Sequence, residues 1–164
     1  MLYLIPAPAH RMVLRLAHGL RRRWWFVRRP RLSGCRVLAF DVHGRVLLVR
    51  HSYGSGKWMP PGGGLGRGED PIAAAQRELL EETGCILEWA AHIELSEELL
   101  NGAGNAVHVI AGDTLDLPLA DGREIVEAQF FAPTDLPDAM PRLFRARLPE
   151  WITAAIAARP ADVP

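Results

Sequence analysis

The hydrophobic and polar positions change period several times along the chain. Met12, Val13, Leu16, Leu20, Trp24 and Val27 recur at spacings of three and four, which predicts an amphipathic helix over residues 9–27. Arg11, Arg15, Arg22 and Arg29 flank that stripe, and Pro30 closes it. Cys35–Asp41 (CRVLAFD) and Arg45–Arg50 (RVLLVR) are apolar at most positions, as strands of a covered sheet are, and His43-Gly44 between them predicts a tight hairpin turn. His51–Gly56 (HSYGSG) reads as a loop. A helix is predicted from Asp70, a good N-cap, with Pro71 in its first turn, a run of alanines, and Gly84 as its left-handed stop. Its packing stripe is Ile72, Ala75 and Leu79. Ile86–Leu95 reads as a strand, Ser96–Ala103 as a turn region and Asn105–Ala111 as the returning strand, with His92 and His108 near one another across the hairpin. After a loop over 113–122, Glu124–Ala132 is the last strand. Leu143, Phe144, Leu148, Trp151, Ile152, Ala155 and Ile156 predict a terminal helix over 141–158, split in two by Pro149.

Strands interleaved with two amphipathic helices define an α/β fold, and 164 residues suffice for one domain with its own core. The expected organisation is a leader over 1–32, a domain over 33–158 and a tail over 159–164. Charge sharpens that division. The chain is neutral overall, yet residues 1–40 carry nine arginines and no acid, leaving ten basic and 19 acidic residues for the rest. The apolar runs are too short, and too often broken by arginine, for a membrane span or a secretory signal. Cys35 and Cys85 lie in no metal or redox spacing, and two thiols suit a reducing compartment. The expectation is a cytoplasmic protein, with a leader able to hold it at the periphery of a membrane.

The chemistry concentrates in Gly63–Cys85, GGLGRGEDPIAAAQRELLEETGC. On a helix, Glu81 lies about 60° to one side of Glu78 and Glu82 about 40° to the other, so the three carboxylates share a face within roughly one turn. Like charges at that spacing repel. A divalent cation turns the repulsion into binding, and hard oxygen ligands select Mg²⁺ or Mn²⁺. The plain alternative is a solvated acidic face. Glycines at 62, 63, 64, 66 and 68 let the backbone approach a ligand closely, and the Gly63 carbonyl is then placed to join the metal. A phosphate-binding loop of the Walker type is excluded, because His51 occupies its first glycine position and Trp58 follows Lys57.

The same stretch resembles the signature of the Nudix hydrolases: Gly, five residues, Glu, seven residues, Arg-Glu, an aliphatic, any residue, Glu-Glu, any residue, Gly, an aliphatic. Gly63, Glu69, Arg77, Glu78, Leu79, Glu81, Glu82 and Gly84 all fall on that pattern, and only Cys85 departs, standing in for an aliphatic. Trp58-Met59-Pro60-Pro61-Gly62-Gly63 resembles the family's approach to this box, with Pro60 at a place where an aliphatic is common. Glu124–Phe131 and Asp135-Leu136-Pro137 resemble its closing strand and turn. The resemblance covers about 33–157.

It implies an α/β/α sandwich with a mixed sheet, and metal-dependent hydrolysis of a diphosphate in a nucleoside diphosphate linked to another moiety. Glu78, Glu81, Glu82 and the Gly63 carbonyl are then the metal ligands, Glu78 and Glu82 with Arg77 the catalytic groups, and Arg77 the residue that orients the loop by pairing with Glu69. Glu78 is a ligand or the base. Glu127, Glu98 or Glu124 could supply the base from outside the box. Gly62, Gly64, Lys57, Tyr53 and Glu127 are candidates for the substrate, Tyr53 by stacking and Lys57 by meeting a phosphate, each with ordinary surface as the alternative. A Nudix-like domain that senses a nucleotide without cleaving it is the competing class. For the leader three readings stand: packing on the domain or on a second subunit of a homodimer, contact with an anionic membrane surface, and contact with RNA.

Overall fold

A computed structural model describes residues 32–100, 103–120 and 122–161, together with Val13, which is helical. The rest of the leader, its predicted helix and the loop position Gly102 lie outside the described residues.

Six strands form one mixed sheet: β1 (Leu32–Phe40), β2 (Val46–His51), β3 (Trp58–Met59), β4 (Ala91–Leu100), β5 (Ala103–Asp113) and β6 (Ile125–Phe131). The order is β3-β2-β1-β5-β4, with β6 also paired to β2. β1 and β5 are parallel over their whole length, from Leu32 opposite Asn105 to Phe40 opposite Asp113, and the other named pairs are antiparallel. Helices α1 (Pro71–Thr83) and α2 (Arg142–Ala158) cover the sheet. Alternation along β1 sends Cys35, Val37 and Ala39 to the α1 side, and Leu38 and Phe40 to the α2 side. The result is the α/β/α sandwich expected from the sequence.

One irregularity positions the site. The β1–β2 hairpin is paired only where Phe40 meets Val46. Beyond that point the two strands part, and the chain after β3 runs into the gap. Val37 N donates to the Pro61 carbonyl (2.8 Å), Cys35 N to the Gly63 carbonyl (2.9 Å), and Leu65 N to the Ser33 carbonyl (3.0 Å). The glycine-rich loop is thus stitched to the sheet by its backbone. That proximity excludes side chains: a Cβ at Gly62 would stand 2.2 Å from the Cys35 carbonyl oxygen, and its φ of +144° is one that only glycine adopts readily.

Three element predictions need correction. Ile86–Ala90 is not strand; Glu88 N bonds the Asp113 carbonyl and the Trp89 indole donates to the Asp113 carboxylate, which turns the chain onto β5. Ser96–Leu100, read as turn, is strand paired to β5, with Leu100 opposite Ala103. Pro149 does not split the terminal helix, which is continuous because Leu148, Trp151, Ile152 and Ala155 are anchored in the core on both sides of it. Strand ends elsewhere shift by one to three residues, and both ends of α1 stand. The Asp70 carboxylate accepts from Ile72 N and Ala73 N (both 3.0 Å), and Gly84 is left-handed with its N–H on the Leu80 carbonyl.

Candidate functional site

The helix α1 lays small residues on the sheet. Ala74, Ala75 and Leu79 are buried against Cys35, Val37, Ala39, Leu47, Ile110 and Phe130, while Ile72 packs at their margin. Short side chains bring the helix axis close, and its last turn then meets the glycine loop. Glu82 is only 7 % exposed, although the sequence pattern places it on a polar face. Its carboxylate accepts from Gly62 N (3.0 Å), with His51 Nε2 at 3.7 Å from the other oxygen. Burial, reinforced by the charges of Glu78 and Glu124, pushes the Glu82 carboxyl up to about 8, against the pull of the Gly62 hydrogen bond.

Glu78 lies against the backbone of Gly63, where a Cβ would come 2.4 Å from its carboxylate. Burial raises its pKa, and the neighbouring Glu81 and Glu124 add to the rise, while Arg77 opposes it. Glu81 is exposed, 3.5 Å from the Arg77 guanidinium. Arg77 is the hub of the loop. Its Nε and one terminal nitrogen grip both oxygens of Glu69 (2.9 and 3.1 Å), the other terminal nitrogen meets Glu78 (2.8 Å), and the Gly64 carbonyl accepts at 3.3 Å. A two-pronged guanidinium–carboxylate grip of this kind fixes geometry as well as charge. Glu69 in turn accepts from Gly66 N, and its pKa is lowered first by the Arg77 hydrogen bonds.

Of the expected ligands, Glu78 and Glu82 lie against the glycine loop, at Gly63 and Gly62, and Glu81 stays at the exposed edge beside Arg77. Among the described residues, no group of three or more His, Cys, Asp or Glu side chains is arranged in metal-holding geometry. Glu78 is instead turned to Arg77, and Glu82 to Gly62. The Gly63 carbonyl is engaged by Cys35 N, leaving only its second lone pair. The donor set suits a hard cation in its chemistry: carboxylate oxygens at one helix end, with the charge of Glu78 felt by Glu82.

The outer candidates divide. Tyr53 donates to Glu124 (2.5 Å) and its ring lies 5.2 Å from that of His51. With His51, Ser52, Gly54, Ser55, Gly56 and Val126 it lines an open cleft of about 360 Å³. Lys57 is exposed at the end of that loop. Glu127 pairs with Arg50 (2.7 Å), whereas the charge of Glu124 reaches Glu78 and Glu82. Glu98 lies on β4, opposite Asn105. His51 is a neighbour of Glu82 that sequence reading assigned to a loop. It is the last residue of β2, paired past a bulge to Ile125, and extending the Arg45–Arg50 strand by one residue would have found it. His92 and His108 do meet, with Nε2 and Nδ1 2.9 Å apart.

The site is an acidic helix end docked on a glycine loop, in a mixed sheet sandwiched by helices. The chain belongs to the Nudix family: residues 30–154 match the NUDIX domain. It is similar to an RNA pyrophosphohydrolase of Roseobacter denitrificans, 51 % identical over 65 residues that make up 39 % of this chain and 41 % of that protein. It is also similar to one of Bartonella bacilliformis, 40 % identical over 63 residues, 34 % of this chain and 37 % of that one. The matched stretch spans about two fifths of either relative. Among solved structures, a MutT protein from Methanosarcina mazei Go1 superposes with a TM-score of 0.67 at 20 % identity, covering 76 % of this chain and 94 % of that one. A MutT NUDIX hydrolase from Burkholderia pseudomallei gives 0.65 at 26 %, covering 73 % and 97 %.

Proposed function

We propose that this chain is a divalent-cation-dependent hydrolase of pyrophosphate bonds in nucleoside diphosphate derivatives. The observation that carries the reading is the buried Glu82 carboxylate held on Gly62 N, beside Glu78 and the Arg77 hub. Burying a carboxylate this thoroughly is costly unless the site's occupant repays it. Glu78, Glu81 and Glu82, with the Gly63 carbonyl, hold the ion, Mg²⁺ or Mn²⁺. When bound, it polarises a phosphoryl oxygen and acidifies a water. Arg77 keeps the loop in register through Glu69 and Gly64. Glu78, held against the backbone of Gly63 with Arg77 on its carboxylate, takes the water's proton or serves as a ligand. Tyr53 and Lys57 flank the cleft as contacts for the remainder of the substrate. The relatives named RNA pyrophosphohydrolase support 5′-phosphorylated RNA as one candidate substrate.

The test is a turnover screen with Mg²⁺ and Mn²⁺ against ADP-ribose, nucleotide sugars, dinucleoside polyphosphates, oxidised nucleoside triphosphates and RNA bearing a 5′ triphosphate or cap. At least one is hydrolysed, and Glu82→Gln lowers kcat by at least about 100-fold, roughly 3 kcal/mol of barrier. Full activity in that variant overturns the assignment. Tight binding of a panel member without turnover favours the sensor class.

A further inference from the structure

An arginine taken out of water needs an anion, and Arg45, Arg50, Arg77 and Arg147 each pair with a carboxylate. Arg36, part-buried on β1, pairs with none among the described residues. Its Nε is buried without a hydrogen-bond partner there, and a terminal nitrogen reaches only the Cys35 carbonyl, at 3.5 Å. The guanidinium carbon lies 5.3 Å from the centre of the Phe144 ring of α2. That places the side chain on the α2 face of the sheet, with Leu38 and Phe40 two and four residues on. A ring beneath a guanidinium holds it in place and leaves the donors along its edge for a ligand.

The position of this cation in the fold is specific. Cys35 and Val37, on either side of Arg36, are the residues whose N–H groups hold the Gly63 and Pro61 carbonyls. Arg36 therefore stands opposite Gly62, and a Cβ at Gly62 would lie 3.1 Å from the Arg36 Cα. The N–H of that same glycine holds the Glu82 carboxylate, and the positive charge of Arg36 is felt at Glu82 and at the Cys35 thiol. We propose that Arg36 is a substrate-binding residue of this site: with one phosphoryl group of the diphosphate at Glu78, Glu81 and Glu82, its guanidinium holds the neighbouring phosphoryl group on the α2 side of the glycine loop. The inference rests on the pyrophosphate reading above and adds a residue to it. A diphosphate is the shortest ligand with two anionic centres, and it passes Gly62 where no side chain stands in the way. The planar fork of arginine matches two oxygens of one phosphoryl group, which a single ammonium does not.

Calorimetric titration of the full chain with Mg²⁺ and adenosine 5′-(α,β-methylene)diphosphate, whose bridge cannot be hydrolysed, tests this. Arg36→Met keeps the stem over Phe144 and removes the donors, and it binds the analogue at least about 10-fold more weakly than wild type. Arg36→Lys falls between the two, at least about threefold weaker than wild type. Unfolding midpoints of both variants stay level with wild type. On a panel member that is turned over, Arg36→Met raises KM by at least about 10-fold while kcat stays within about threefold. Wild-type affinity in Arg36→Met, or in Arg36→Lys where Arg36→Met does not fold, overturns the proposal, as does a wild type that does not bind the analogue. A lowered midpoint with affinity unchanged also overturns it and assigns Arg36 to packing on Phe144. The two readings fail separately. Binding that depends on Arg36 without turnover of any panel member overturns the hydrolase and leaves this residue's role, whereas turnover with affinity indifferent to Arg36 does the reverse.

Discussion

The two faces of the sheet are packed on different principles. On the α2 side the core is made of large side chains: Trp151, Phe144, Leu148 and Ile152 meet Leu38, Phe40, Leu48 and Trp58, with Trp58 edge-on to Phe131 at 4.9 Å. On the α1 side small residues, Cys35, Ala39, Ala74, Ala75 and Cys85, are interleaved with Leu47, Leu79, Ile110 and Phe130. Large residues bury more apolar area and stabilise more. Small residues let backbone approach backbone, which brings the last turn of α1 to Gly62 and Gly63. One face supplies stability, and the other gives some of it up to hold two carboxylates of raised pKa in contact with a loop.

That division can be broken from either side. Trp151→Ala opens the largest cavity and costs about 3–5 kcal/mol of unfolding free energy; kcat, measured where the variant is still folded, stays within about twofold of wild type. Gly62→Ala is the substitution that damages both properties at once. It strains a φ of +144° and drives a methyl into the Cys35 carbonyl, costing about 3 kcal/mol in denaturant titrations. Activity falls with it, because Glu82 loses its backbone donor. Glu82→Gln is the mirror image of Trp151→Ala, losing turnover while its unfolding midpoint stays level or rises.

The pH dependence sharpens the same contrast. The folded chain holds the Glu82 proton to about pH 8, against an ordinary 4.5, so it binds that proton more tightly than the unfolded chain does. In metal-free protein this contribution to stability is complete below pH 4.5 and is lost as the pH rises through about 8. The slope is at most about 1.4 kcal/mol per pH unit. Urea titrations at pH 5, 6.5 and 8 should show wild type falling relative to Glu82→Gln, and parallel curves would refute the buried carboxyl. The smallest expected effect is Trp151→Phe. The Trp151 indole nitrogen is buried with no hydrogen-bond partner among the described residues, so the lost volume is offset by removal of an unpaired donor, and stability stays within about 1 kcal/mol.

Local signals were legible wherever one residue type had one physical job. Asp70 and Gly84 bounded α1 because a cap and a left-handed stop act within a single turn, and the Arg77–Glu69 pair was implied by the family pattern. The misreadings arose where distant partners decided the outcome. Ser96 to Leu100 carries polar, turn-like composition, yet cross-strand bonds to β5 extend it. Pro149 removes one helical donor, but the core residues around it outweigh that loss. The burial of Glu82 was illegible because periodicity locates a helix face without saying what docks on it. The parting of β1 from β2, which admits the glycine loop, leaves no local trace either.

The backbone contact at Gly62 has a consequence for how this chain can change over generations. Every other amino acid carries a Cβ, and any Cβ there lands on the Cys35 carbonyl. The position has no conservative neighbour among the codons. Variation has to pass around it, through the cleft loop over 53–57 and the loop over 115–119, where exposed side chains can be exchanged without moving the sheet.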